Sequence, residues 1–210
     1  MSIISLGLAE NYAMLGSQFL YMDNAIDVKG FMGSDFLSYP ERPILDSNGI
    51  QLFGSIPNAP IVNGAAAKQA IADVNTAISL YPVVTEVYNG AGGDLDIIIT
   101  GPGRYTINGS LTTNADVTLT GPGIYVFNVT GNITITNNID PGNILPQNVI
   151  FIANGSMDIG TNTPVTVSGI YISTGDFVYI NNATLTGRLI STDKTNNRYA
   201  SVINSTVTAP

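Results

Sequence analysis

Along the back of this chain, apolar and polar residues change places at every step. They do so in short runs such as Val117-Thr118-Leu119-Thr120, Ile133-Thr134-Ile135-Thr136, Val165-Thr166-Val167-Ser168 and Thr184-Leu185-Thr186. A period of two marks a strand with one buried side, because successive side chains point to opposite faces. The aliphatic residues are expected inward and the hydroxyl residues outward. Turn residues separate the runs from Ile97 onward, and one turn repeats. Thr100-Gly101-Pro102-Gly103-Arg104-Tyr105 returns twenty residues later as Thr120-Gly121-Pro122-Gly123-Ile124-Tyr125. Each Gly-Pro-Gly reads as a tight turn, with glycine free to take positive φ and proline fixing its own. A period of about twenty residues is the length of one coil of a β-solenoid. The same spacing also suits a sandwich of hairpins, which the pattern alone does not exclude.

Only one stretch carries a helical period. Ala67, Ala70, Ile71, Val74, Ile78 and Tyr81 recur at steps of three and four, giving one apolar stripe. Asn63 is the expected N-cap and Pro82 the stop. Ala65, Ala66 and Ala67 would allow close approach, so the helix is expected to lie flat along the β-structure. The chain before it differs in character from the chain after it. All the threonines lie from Thr76 onward, whereas Met1, Met14, Met22, Met32, Phe19, Phe31, Phe36 and Phe53 crowd the front. The front reads as bulky apolar packing and the back as a β-branched polar lattice. Phe31, Phe36 and Tyr39 are open between core and subunit contact, with core favoured for the two phenylalanines because exposed aromatic clusters are uncommon. The expected organisation is a single domain over 1–210: N-terminal coils and clasp over 1–62, helix over 63–81, and main coils over 95–210.

Composition narrows the chemistry. Hydrophobic residues make up 44% of the chain and charged residues only 10%, so Asn, Thr, Ser and Gly must keep the surface wet. The net charge of −8 argues against a nucleic-acid partner, which needs a basic face. Arg188, Lys194 and Arg198 form the nearest thing to a basic cluster and are expected to be a solvated rim. With no Cys and no His, the chain lacks disulfides, thiolate metal sites and the commonest general base. No apolar run approaches the length of a membrane span. The start, Met1-Ser2-Ile3-Ile4-Ser5-Leu6, lacks the basic and long apolar regions of a secretory signal. Export would then follow another route, unless this is a mature segment.

Candidate chemistry is sparse. Asp94 and Asp96 are a close acidic pair that a strand would turn to one side, as calcium or a pair of catalytic acids requires. A calcium loop would supply more oxygens, and no matching acid can be named on a neighbouring coil. No nucleophile elbow or phosphate loop occurs. No catalytic residue, no metal ligand and no cofactor is therefore assigned, and the chain is expected not to be an enzyme. Asn-x-Ser/Thr sequons at Asn108, Asn128, Asn132, Asn154, Asn182 and Asn204 are what so Asn- and Thr-rich a composition yields by itself.

Several segments, in order, resemble the ice-binding-like domain family. Leu6-Gly7-Leu8-Ala9-Glu10-Asn11-Tyr12-Ala13-Met14-Leu15-Gly16-Ser17 is similar to the family's opening run, and the Ala-rich stretch from Ala65 to Tyr81 to its helix. Gly121-Pro122-Gly123-Ile124-Tyr125-Val126-Phe127 and Val149-Ile150-Phe151-Ile152-Ala153-Asn154-Gly155-Ser156 resemble two of its strands. Val167-Ser168-Gly169-Ile170-Tyr171-Ile172 through Ala183-Thr184-Leu185-Thr186-Gly187-Arg188 resembles its ending. The stretch from Phe31 to Ile50 departs from the pattern in its aromatics and charge. The resemblance implies a mainly β fold: a discontinuous β-solenoid with one long α-helix packed alongside, in which N-terminal coils complete the stack beside C-terminal ones.

Ice binding, the antifreeze activity the family name suggests, needs no reactive group. It needs a flat, rigid face whose hydroxyls and methyls repeat in two dimensions. Stacked coils lie about 4.8 Å apart and outward residues two apart sit about 6.7 Å apart, so Thr-x-Thr ranks make such a grid. The candidates for contact with ice or another ordered surface are Thr118 and Thr120, Thr134 and Thr136, Thr166 and Ser168, Thr184 and Thr186, and Thr206 and Thr208. Threonine is also simply a good outward strand residue, and the sequence does not say which pairs share a face. The alternative reading is a self-associating structural subunit or adhesive module, a filament or coat of identical copies stacked through open solenoid ends. Either role places the protein outside the cell or on a surface.

Overall fold

From Glu86 onward, strands that follow one another along the chain do not pair. Each instead pairs in parallel with a strand one coil before or after it, and most with both, as the β-solenoid expectation requires. The computed structural model describes residues 5–16, 19–23, 27–29, 31–34, 61–63, 65–80, 86–88, 93–94, 98–160, 163–175, 177–192 and 199–210. Phe36, Tyr39, Asp96, Lys194 and Arg198 lie outside them, so the expectations for these five stand untouched.

The coils build three sheet faces. Face A runs in the order Ile61–Asn63, Phe31–Ser34, Tyr12–Gly16, Ala183–Ser191, Val165–Ser173, Val149–Ala153, Tyr125–Val129, Gly103–Ile107 and Glu86–Tyr88. Face B runs Phe19–Asp23, Tyr199–Ile203, Val178–Asn181, Met157–Ile159, Ile133–Ile135, Leu111–Thr113 and Gly93–Asp94. Face C holds Ile98–Thr100, Val117–Thr120 and Ile139–Asp140, then the first halves of Val165–Ser173 and Ala183–Ser191, then Thr206–Thr208 and Asp27–Lys29.

The solenoid is discontinuous. The C-terminal coil does not end the stack: Tyr12–Gly16 adds to Ala183–Ser191, Phe19–Asp23 to Tyr199–Ile203, and Asp27–Lys29 to Thr206–Thr208. The first coil of the sequence is thus laid on the last. Val28, Met14 and Ala13 join the interior there.

Inside, aliphatic side chains from the three faces fill the centre, and Tyr105, Phe127, Phe151 and Tyr171 stack in one ladder with ring centroids 5.2, 4.5 and 5.1 Å apart. Parallel in-register pairing forces like positions to superpose, so an aromatic at one coil favours an aromatic at the next. The outer side of face A is apolar too. Val126, Ile150, Ile152, Ile170, Ile172 and Ile190 point away from the centre and meet Ala70, Ile71, Val74 and Ala77 of helix α1 (Ala65–Leu80). A sixteen-residue helix is about 24 Å long, the width of about five strands at 4.8 Å. That is the span from Tyr125–Val129 to Tyr12–Gly16 along the sheet. Asn63 closes the strand Ile61–Asn63 rather than standing clear of the sheet.

At the corners the chain leaves the plane of its sheet, and side chains take over from the ladder. Ser110 Oγ accepts from Asn132 N–H at 3.1 Å, and Asn132 Oδ1 accepts from Ser156 N–H at 3.0 Å. Asp116 Oδ1 accepts from Asn138 N–H at 3.0 Å, and Asn138 Oδ1 from Thr166 N–H at 2.8 Å. These bonds lie at exposed or half-buried corners, where short polar side chains give the amides that leave the ladder an acceptor on the neighbouring coil.

Candidate functional site

Face C gathers most of the outward threonines. Register pairs Thr166 with Thr184 and Thr184 with Thr206, and Ser168 with Thr186 and Thr186 with Thr208. Between each pair an aliphatic residue points inward: Val167, Leu185 and Val207 are all buried. Thr166, Thr184 and Thr186 are exposed, and Ser168, Thr206 and Thr208 are half-buried. The result is two parallel columns over three consecutive coils, with no charged residue among the six. Among the described residues, only Ser168 of these six uses its hydroxyl within the chain, donating to the Thr186 carbonyl at 3.4 Å. The positions of Asp27 and Lys29 continue the two columns on the next coil.

Thr118 and Thr120 occupy the same face farther along, but they do not adjoin this grid. Thr118 pairs with Ile98 on one side and with Asp140 on the other. The coil of Ile139–Asp140 lies between, as the bond from Thr166 N–H to Asn138 shows.

Thr134 and Thr136 are placed elsewhere, a matter the sequence left open. Thr134 belongs to face B, where its register neighbours are Thr112 and Asp158, and the column goes on to Tyr179. Thr136 stands at the corner with its hydroxyl spent. It donates to the Thr113 carbonyl and lies 2.9 Å from Asn137 Oδ1, while its own N–H donates to Thr113 Oγ1 at 3.0 Å. Alternation alone cannot tell one face from another, because each face of a triangular coil shows the same pattern.

Asp94 sits on face B at the register position of Thr112. Among the described residues, no group of three or more acidic, His or Cys side chains could hold a metal ion. No helix among them is long and apolar enough to cross a membrane.

Arg188 departs from its expected place on a solvated rim. It is 6% exposed, at the outward position of face A next to Ile170. Its guanidinium donates to the Glu10 carbonyl through both Nε, at 3.2 Å, and Nη2. Burial lowers its pKa from the ordinary arginine value, and the Glu10 carboxylate opposes that shift. Glu10 in turn accepts from Leu6 N–H at 2.9 Å, closing the short turn Gly7–Asn11 against α1. Arg188 therefore ties the N-terminal clasp to the coils, a role for which the sequence offers no local signal.

The architecture is shared with solved structures at low sequence identity. An ice-binding protein from an Arctic yeast superposes with a TM-score of 0.78 at 18% identity, covering 99% of this chain and 94% of that one. An ice-binding protein from an Antarctic biological consortium gives 0.78 at 22% identity, covering 99% and 91%. One from the Antarctic ascomycete Antarctomyces psychrotrophicus gives 0.72 at 20% identity, covering 100% and 99%. The chain matches no curated protein sequence at a significant level. The sequence profile described as ice-binding-like matches residues 34–197, most of the chain, and the protein belongs to that family.

Proposed function

We propose that this protein binds ice, or a similarly ordered surface, through the hydroxyl grid of face C. The observation that carries the reading is the unbroken double column Thr166/Ser168, Thr184/Thr186 and Thr206/Thr208. Parallel strands hold these side chains about 4.8 Å apart between coils and about 6.7 Å apart along each strand. The β-branched threonine has few χ1 options, so the grid is organised before it meets its ligand. Little entropy is then lost on binding, which lets many weak contacts add up. Each threonine offers a methyl and a hydroxyl together, and Ser168 a hydroxyl alone. The methyl packs against a lattice and the hydroxyl replaces a water hydrogen bond. The reading is non-catalytic and calls for no cofactor. The Arctic yeast relative of the same fold has antifreeze activity, which supports it. An extracellular or surface-exposed location goes with it.

The decisive experiment is thermal hysteresis and ice shaping by the purified protein beside its Thr186→Tyr variant. The expected result is activity in the parent and loss in the variant, with unchanged circular dichroism, because tyrosine stands proud of a flat grid. An inactive parent, or a fully active variant, overturns the reading.

A further inference from the structure

The threonine face is interrupted, and the interruption is one loop. After Thr118 the chain reaches Tyr125 through Leu119, Thr120 and the Gly-Pro-Gly corner. After Asp140 the next coil reaches Val149, the partner of Tyr125, through Pro141-Gly142-Asn143-Ile144-Leu145-Pro146-Gln147-Asn148. The second route has eight residues where the first has six. Instead of a second outward threonine it makes two local turns, from Ile144 N–H to the Pro141 carbonyl and from Asn148 N–H to the Leu145 carbonyl.

The loop occupies the face itself. A Cβ on Gly142 would lie 4.0 Å from the Leu119 carbonyl oxygen, so the loop begins against the strand that carries Thr118 and Thr120. Pro146–Asn148 approaches both Val165–Ser173 and Ala183–Ser191, so it ends against the strands of the grid. Between these ends Ile144 packs on the core, and Leu145 stands 55% exposed. It is the one exposed large hydrophobic side chain among the described residues. Asp140 adds a carboxylate in the first column and turns its Oδ1 onto Gly142 N–H at 2.8 Å.

We infer that Asp140 and the loop Pro141–Asn148 form a fence that confines ligand contact to the grid from Thr166 to Thr208, leaving Thr118 and Thr120 outside it. The inference rests on the ice-binding reading above and names the boundary of that same site. A planar ligand cannot touch both sides of a ridge at once. A charged group holds its hydration shell more tightly than a hydroxyl, and desolvating it against a neutral lattice is costly.

The test compares Thr120→Tyr and Thr186→Tyr, both solvent-facing changes, in one hysteresis assay. The fence requires loss of activity with Thr186→Tyr and activity at the parent level with Thr120→Tyr. If both variants lose activity, the ligand spans the two patches and the fence falls while the reading stands. If Thr186→Tyr stays active, the reading itself fails, and the fence with it. A second protein replaces residues 140–148 by a copy of residues 118–124, which keeps Ile139 and Val149 in register with Val117 and Tyr125. There, hysteresis should rise above the parent, and Thr120→Tyr should now lower it. An unchanged response to Thr120→Tyr in this folded variant also overturns the fence.

Discussion

The strand Ala183–Ser191 contains two surfaces that began with the same geometry. Thr184, Thr186, Arg188 and Ile190 all point away from the solenoid centre, every second residue, while Leu185 and Leu189 point into it. The first two stand exposed on face C, and the last two are buried on face A beneath the helix and the N-terminal clasp. Gly187 makes the division. It lies at φ +155° and stacks on Gly169 at φ +140°, and a Cβ on it would overlap the Gly169 carbonyl oxygen. The strand bends there from one face to the other without losing its alternation. The comparison teaches that outward position alone decides nothing. What covers a face decides whether its residues stabilise the fold or remain available for a ligand.

The largest expected effect comes from breaking the covered half. Ile190→Asp puts a carboxylate between sheet and helix among Leu15, Ile172 and their neighbours, while Arg188, two residues back in the same row, is already held on the Glu10 carbonyl. A buried unpaired charge belongs to the class of substitutions that cost more than about 4 kcal/mol. Thermal or denaturant unfolding should show cooperative folding lost or strongly weakened. A near-parental midpoint would mean the helix does not seal that side.

Arg188→Met keeps the bulk and removes the donors. The Glu10 carbonyl loses both guanidinium bonds, at a cost of about 1–3 kcal/mol. The loss should be local, so the expected readout is faster proteolysis around Ser5–Gly16 with the C-terminal coils intact. Arg188→Lys should restore only part of the protection, because a single ammonium cannot reproduce the fork of Nε and Nη2. Equal proteolysis of parent and Met variant would show that apolar packing of Leu6, Ala9 and Tyr12 holds the clasp unaided.

These two residues also mark how far the sequence could be read. The helix stripe of Ala70, Ile71 and Val74 was legible from its steps of three and four. The alternating runs, by contrast, gave no sign of the apolar outer side of face A on which Ile190 lies. The solenoid was legible from its period, yet the period misplaces the coils. The repeated Thr-Gly-Pro-Gly-x-Tyr stretches are twenty residues apart, but in space Tyr125 stands on Gly103 and Phe127 on Tyr105, twenty-two apart. The repeat is a local device: in each copy the tyrosine hydroxyl donates to the carbonyl of its own first glycine, Tyr105 to Gly101 at 2.6 Å and Tyr125 to Gly121 at 3.0 Å. Elsewhere the offset shrinks to eighteen, from Val165 to Ala183. Corner length sets these offsets, and it is also what turned Thr136 into a corner residue and Asp140 into a break. Arg188 was not legible, because its acceptor lies at Glu10, near the other end of the chain.

The smallest effect is expected on the uncovered half, and it sharpens the comparison most. Thr184→Val exchanges a hydroxyl for a methyl of almost the same shape at an exposed site where, among the described residues, the hydroxyl holds no partner. No buried group is orphaned and no cavity opens, so stability should change by less than about 0.5 kcal/mol. Ice activity responds only if the hydroxyl takes part in the contact. A partial loss of hysteresis at unchanged stability assigns the contact to methyl and hydroxyl together. Full activity would assign it to shape and methyl packing alone, and a large loss of stability would contradict the solvent-facing placement of Thr184. The same exchange at Thr136 should behave in the opposite way. There the hydroxyl joins two coils through Thr113, so Thr136→Val should lower stability and leave hysteresis alone. Two threonines of one chemical kind would then separate by the criterion that separates Thr184 from Ile190, namely whether the neighbouring coil or the solvent holds the side chain.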